Sequence, residues 1–133
     1  MSHDERQRVS SGAPYEPQFG YCRAVRDGDR IFIAGTAPIA PDGTPFAPGD
    51  PTAQTQRCLD IIQEALQSLG ASLNDVVRTR LYLTRRDDWQ AVAQVHGQVF
   101  ADIRPACTLL VVAGLLDPQW LVEIEAEAVC HSS

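Results

Sequence analysis

Leu121-Val122-Glu123-Ile124-Glu125-Ala126-Glu127-Ala128-Val129 is the stretch that decides the fold. Apolar residues hold the even positions from 122 to 128, and glutamate holds 123, 125 and 127. Side chains alternate across a strand, so this segment reads as a strand with one apolar face and one face of three carboxylates. Like charges in a row repel unless a neighbour relieves them. Residues 76–84 offer that neighbour, with Val77, Thr79, Leu81 and Leu83 alternating against Val76, Arg78, Arg80 and Tyr82. Guanidiniums on an adjacent strand, or on another subunit, would pair the glutamates. A solvated outer sheet face satisfies the same pattern.

The rest of the chain supplies the elements that cover the apolar face. Asp50 and Pro51 are an N-cap and a first helical residue. Leu59, Ile62, Leu66 and Leu69 then recur at helical spacing until Gly70 ends the run. A second helix is predicted over 87–103, capped by Asp87 or Asp88, with Trp89, Val92, His96, Val99 and Ile103 as its stripe and Pro105 as its stop. Strands are predicted at 21–25 and 30–35 around the turn Asp27-Gly28-Asp29, and at 107–113 and 121–129. In the second of these, Ile31, Ile33 and Gly35 alternate with Phe32, Ala34 and Thr36. The loop from Pro38 to Gly49 is too rich in Pro and Gly for regular structure. The order β-β-α-β-α-β-β makes an α+β domain, with two helices on one face of a mixed sheet. Residues 1–14 are polar and are expected to be a mobile segment, with residues 15–131 forming one domain.

Composition narrows the function classes. The net charge is −6, and all 11 basic residues are arginine, scattered rather than gathered into a stripe. Nucleic-acid binding wants a basic patch with stacking aromatics, so a nucleic-acid partner is not expected. No stretch approaches the ~20 apolar residues of a membrane span, and the polar N-terminus has no signal-peptide core. A cytoplasmic location without a membrane partner is the expectation. Cys22, Cys58, Cys107 and Cys130 lack zinc-ligand spacing, so no metal is implied, and most are expected to be buried thiols.

Gly20-Tyr21, the strand 31–36, Leu69-Gly70-Ala71, Asp75-Val76-Val77-Arg78-Thr79, Asp88-Trp89, Phe100, Pro105-Ala106 and Val122-Glu123-Ile124-Glu125-Ala126 occur in order along the chain. On these residues the chain resembles the RidA/YjgF/UK114 family. The resemblance implies a homotrimer with a chorismate-mutase-like fold, the outer sheet face buried between subunits, and small-molecule clefts at the subunit boundaries. It implies no cofactor. In the family's deaminases, water adds to the C=N carbon of a small imino acid whose carboxylate is held by an arginine. Position by position, Tyr21 matches a site tyrosine and Glu123 a site glutamate. The serine position is Ala34, the asparagine position is Ala93, and the arginine position is Cys107. A thiol cannot imitate a bidentate guanidinium–carboxylate pair. A ribonuclease activity, also attributed to some members, would need a basic surface.

Glu123 is accordingly the candidate catalytic group, a carboxylate able to manage water in a partly dry site. An ion pair to Arg78 or Arg80 would make it structural instead. Tyr21 is a ligand-binding candidate, or a half-buried packing residue. Arg23 and Arg104 are candidates to replace the missing guanidinium of a ligand with a carboxylate, against a role in surface ion pairs. Glu16 is a candidate to fold over the site. His96 is a candidate acid or base, or a satisfied core histidine. Cys107 is a small packing residue, or a nucleophile if a neighbour depresses its pKa. Two functions are left open: an enzyme acting on an imine or enamine, and a binding or regulatory trimer using the same cleft.

Overall fold

The structure, a computed structural model, describes residues 6–131. The alternation at the C-terminus produces a central strand, β6 (Val122–Val129), whose residues are buried and half-buried in strict turn. β1 (Gln7–Val9), β2 (Ala24–Asp27), β3 (Arg30–Thr36), β4 (Val76–Leu83) and β5 (Ala106–Val111) join it in one sheet of order β1-β2-β3-β6-β4-β5. All neighbours are antiparallel except β4 and β5, which are parallel. The helices are α1 (Tyr15–Phe19), α2 (Pro51–Ser68) and α3 (Trp89–Phe100). The predicted order therefore runs from β2 to β6, and the sheet is mixed.

α2 begins as the sequence dictates. The Asp50 side chain accepts from the Ala53 N–H at 3.0 Å, and Pro51 occupies the first turn, where its missing N–H costs nothing. Gly70, at φ 80°, takes the left-handed conformation that closes the C-terminus. Cys58, Leu59, Ile62 and Leu66 pack with Val92, Val95 and Phe100 of α3 against Ile31, Ile33, Leu81, Leu83, Val122 and Ile124. Burying each large aliphatic side chain contributes about 1.5–3 kcal/mol, and this layer fixes which sheet face is inside.

Several expectations change. Part of the N-terminal segment expected to be mobile forms a strand, with Arg8 opposite Val25, while residues 1–5 lie outside the described residues. α1 is additional, and Gly20 closes it with φ 78°. β2 starts at Ala24, so Tyr21 lies in the turn before the strand rather than on it. α3 is shorter than predicted, with a 3-10 turn at Arg86–Asp88 before it and no side-chain cap from Asp88. Two bulges shift the alternation. Between Val76 and Arg78 the register slips, so Val76 is buried and Val77 exposed, the reverse of the simple pattern. Between Ile33 and Thr36 the chain carries an extra residue, which turns Thr36 into the core and leaves Ala34 and Gly35 on the outer side.

Gln54, fully buried on α2, fastens two loops to the core. Its amide nitrogen donates to the Ala47 carbonyl (3.3 Å) and the Gln119 carbonyl (3.0 Å), and its oxygen accepts from the Leu121 N–H at 2.8 Å. Leu121 leads directly into β6, so this side chain fixes where the glutamate strand starts. Gln54→Leu keeps the volume and strands these backbone groups. Urea denaturation should show a loss of roughly 2 kcal/mol or more.

Candidate functional site

The face of the sheet away from the helices carries the polar residues. Register sets Glu127 opposite Arg78, Glu125 opposite Arg80 and Glu123 opposite Tyr82. The first two glutamates are neutralised as the pattern requires. Arg78 lies 3.7 Å from Glu127, and Arg80 lies 3.6 Å from Glu125 and 3.4 Å from Glu127. Tyr82 donates its hydroxyl to Glu125, and that bond, ahead of burial, raises the phenol above its ordinary range. Glu123 has a tyrosine where the others have guanidiniums, and it enters no ion pair within 4 Å among the described residues.

Glu123 instead lies over Gly35. A Cβ at residue 35 would sit 2.5 Å from Glu123 Oε2 and 3.3 Å from its Cδ, so only glycine leaves the carboxylate this position. The bulge at Ala34–Gly35 creates the opening, and the Thr36 hydroxyl braces it by donating to the Ala34 carbonyl at 2.8 Å. Burial raises the Glu123 carboxyl above the ordinary glutamate range. Arg23 opposes the shift, and Glu125 adds to it.

Arg23 is the organiser beside it. It directly precedes Ala24, a core residue, and alternation sends its side chain to the outer face. Its Nη2 donates to the Gly35 carbonyl at 2.6 Å, and its main chain bonds to Val9 and Ala34. Its Nε is enclosed, with no acceptor among the described residues. Glu16 of α1, buried, accepts from the Ser11 amide (3.1 Å) and hydroxyl. Burial pushes the Glu16 carboxyl up. Donation from Ser11 and Ser10, with the nearby Arg23 charge, outweighs it and leaves the group below its ordinary range. The Tyr21 N–H donates to the Glu16 carbonyl at 3.0 Å, and the ring is exposed. Glu16, Arg23, Gly35 and Glu123 are therefore linked through contacts and charge, and Tyr21 joins them through its backbone.

The other candidates lie elsewhere on the chain. Cys107 pairs with Thr79, whose side chain is buried on the helix side, so residue 107 faces that side, opposite to Glu123. It is exposed because β5 is the sheet edge, contrary to the expectation of a packed thiol. The buried thiol is Cys58, which burial, and then the Glu123 charge, push far up, so it is inert at neutral pH. His96 also lies on the helix side, 2.8 Å from the Thr79 hydroxyl and against the Phe100 ring. Burial lowers its pKa, which makes it a neutral, satisfied side chain. Arg104 is exposed on the turn after α3 at φ 55°, a conformation that disfavours residues with a Cβ. Sequence reasoning missed Gly35 and Tyr82. A glycine inside a strand pattern signals a bulge or a close approach, and that signal was present. Toward the β1 edge of the outer face, Arg6, Arg8, Cys22, Val25, Asp27 and Phe32 line an open depression of about 370 Å³.

The carboxyl of Glu123 titrates higher in the folded chain than in the unfolded one. A raised folded pKa contributes stability that is present below the unfolded pKa and lost as pH rises through the folded pKa. Glu123→Gln should therefore melt above the wild type at about pH 8 and converge with it near about pH 4, in paired melting curves. Gly35→Ala should change the melting temperature little, because only the end of a flexible side chain must move, yet it should abolish any ligand response that depends on Glu123.

Comparison with known proteins agrees with this fold. Residues 12–130 match the profile of a family described as Endoribonuclease L-PSP. An uncharacterized protein of Streptomyces coelicolor is 40% identical over 96% of this chain and 95% of its own. The 3-aminoacrylate deaminase RutC of Acinetobacter baylyi is 32% identical over 87% of this chain and 86% of its own. The crystal structure of a member of the YjgF/YER057c/UK114 family from Mycobacterium tuberculosis superposes with a TM-score of 0.85 at 44% identity, covering 93% of this chain and 98% of that one.

Proposed function

The chain belongs to the YjgF/YER057c/UK114 family, and we propose that it binds a small metabolite at subunit boundaries of a homotrimer and hydrolyses a C=N bond there. The observation that carries this reading is Glu123, a partly buried carboxylate with no ion pair within 4 Å among the described residues, held over a glycine that leaves it room. A carboxylate used only for structure is paired, as Glu125 and Glu127 are. The separation of Glu123 and Cys107 onto opposite faces supports a site completed by a second copy. One copy contributes Glu16, Tyr21, Arg23 and Glu123. The α3–β5 corner of its neighbour contributes the wall with Ala93 and Cys107.

The chemistry is addition of water to an imine carbon. Ionised Glu123 takes a proton from water as the oxygen bonds to that carbon, and the C=N electron pair moves to nitrogen, which gains a proton. The resulting carbinolamine collapses to a carbonyl and releases the amine. The raised pKa of Glu123 suits it to accept and return the proton. Arg23 positions Glu123 by holding the Gly35 carbonyl. RNA cleavage is the less favoured reading, since the net charge is −6 and carboxylates crowd the site.

A panel of imines, generated in the cuvette by amino-acid and amine oxidases, tests the proposal. Ammonia release above the buffer rate on at least one imine is expected. Glu123→Gln should lower it by about 10²-fold or more. Ammonia release at the buffer rate across the panel would contradict hydrolysis, and sedimentation showing only monomers would contradict the shared site.

A further inference from the structure

Arg23 lies within electrostatic range of two carboxylates, and the chemistry proposed above uses only one of them. The other, Glu16, is held by a ring of bonds. Its carbonyl accepts from the Gly20 and Tyr21 amides at 2.9 and 3.0 Å, which turns the chain back after α1. Two residues on, the Arg23 amide donates to the Val9 carbonyl at 2.8 Å. Two residues beyond Val9, the Ser11 amide and hydroxyl reach the buried Glu16 carboxylate. The same short strap thus bonds to the Arg23 main chain and to the Glu16 side chain.

The Arg23 guanidinium has donors to spare. It carries five N–H groups. Nη2 donates to the Gly35 carbonyl at 2.6 Å, and Nε is enclosed without an acceptor among the described residues. The residue whose carbonyl it holds lies directly beneath Glu123. A guanidinium this near a carboxylate closes into a forked pair unless a second anion draws it away. Yet Arg23 forms no ion pair within 4 Å among the described residues. The other ionisable groups coupled to Glu123 are Glu125, Tyr82 and Cys58, and none is a cation. The place of Arg23 therefore decides whether Glu123 stays unpaired or joins Glu125 and Glu127 in a structural ion pair.

We propose that Glu16 is a positioning residue of this site: its fixed carboxylate shares the charge of Arg23 and keeps the guanidinium from closing onto Glu123. The N-terminal turn is thereby part of the site. Its effect on turnover rests on the hydrolytic reading above, and its effect on Glu123 does not.

NMR titration of the full chain without substrate tests the proposal. In Glu16→Gln, Glu123 should titrate in or below the ordinary glutamate range, because Arg23 pairs with it. Glu16→Asp, which keeps the charge, should return it toward the wild-type position. In an Arg23→Gln background, Glu16→Gln should leave Glu123 where it is, because Glu16 acts through Arg23. Ser11→Ala keeps the Glu16 charge but loosens its hold, and should lower Glu123 by less. It decides the matter if Glu16→Gln does not fold. A Glu123 titration unmoved in these variants would overturn the proposal, as would an equal fall without Arg23. On an imine that the wild type hydrolyses, Glu16→Gln should lower turnover at neutral pH by about tenfold and carry the pH profile down with Glu123. Hydrolysis with an unchanged pH profile would sink the positioning role and leave the hydrolytic reading standing. A shifted Glu123 with no imine hydrolysed would do the reverse.

Discussion

β6 is a central strand of the sheet and carries Glu123, Glu125 and Glu127 side by side on one face. Carboxylates spaced about 7 Å apart along a strand destabilise it unless neighbouring strands supply positive charge. β4 supplies two guanidiniums for three glutamates. The register that places Arg78 and Arg80 beside Glu127 and Glu125 forces Tyr82 beside Glu123. Each half-exposed ion pair is worth at most about 1 kcal/mol, so the pairs do not drive folding. They decide which carboxylate is left over. The helix layer on the opposite face fixes the register by burying Leu81, Leu83, Val122 and Ile124.

The unpaired carboxylate needs a place, and β3 provides it through a bulge. The extra residue between Ile33 and Thr36 brings Gly35 under Glu123, and Arg23 reaches across from the approach to β2 to hold the Gly35 carbonyl. The group is tied further out by Glu16, whose backbone receives Gly20 and Tyr21 and whose carboxylate receives Ser11. The N-terminal turn, β3 and β6 thus meet at one carboxylate. The parallel β4–β5 pairing sends residue 107 to the other side of the sheet. A single chain therefore presents two separated surfaces, which is the arrangement expected of a site shared between copies.

Much of the fold was legible because the apolar periods are clean. α2 has its cap, its stripe and its closing glycine, and β6 has unbroken alternation. What escaped were the shifts of phase. Val76 and Val77 are both apolar, so nothing in the local pattern reveals which one the bulge turns inward. α1 hides in a stretch with a proline at each end of Tyr15-Glu16, and β1 in a polar segment whose strand exists only because β2 pairs with it. In the site, Glu123, Arg23 and Glu16 were legible as candidates for one site, but the link from Arg23 through Gly35 to Glu123 was not, since it depends on the β3 bulge. The face on which Cys107 stands follows from parallel register, which no single segment encodes. His96 sits on a helical stripe that reads the same for a core histidine as for a catalytic one, and its bond to Thr79 distinguishes the two.

The account depends on Glu123 being a desolvated carboxylate rather than one more member of the ion-pair ladder. Carbon-detected NMR titration of the glutamate side chains measures this directly. The account predicts that Glu123 titrates above the ordinary glutamate range and that Arg23→Gln moves it higher still, because the opposing positive charge is gone. A Glu123 titration at or below the ordinary range, unmoved by loss of Arg23, would contradict it.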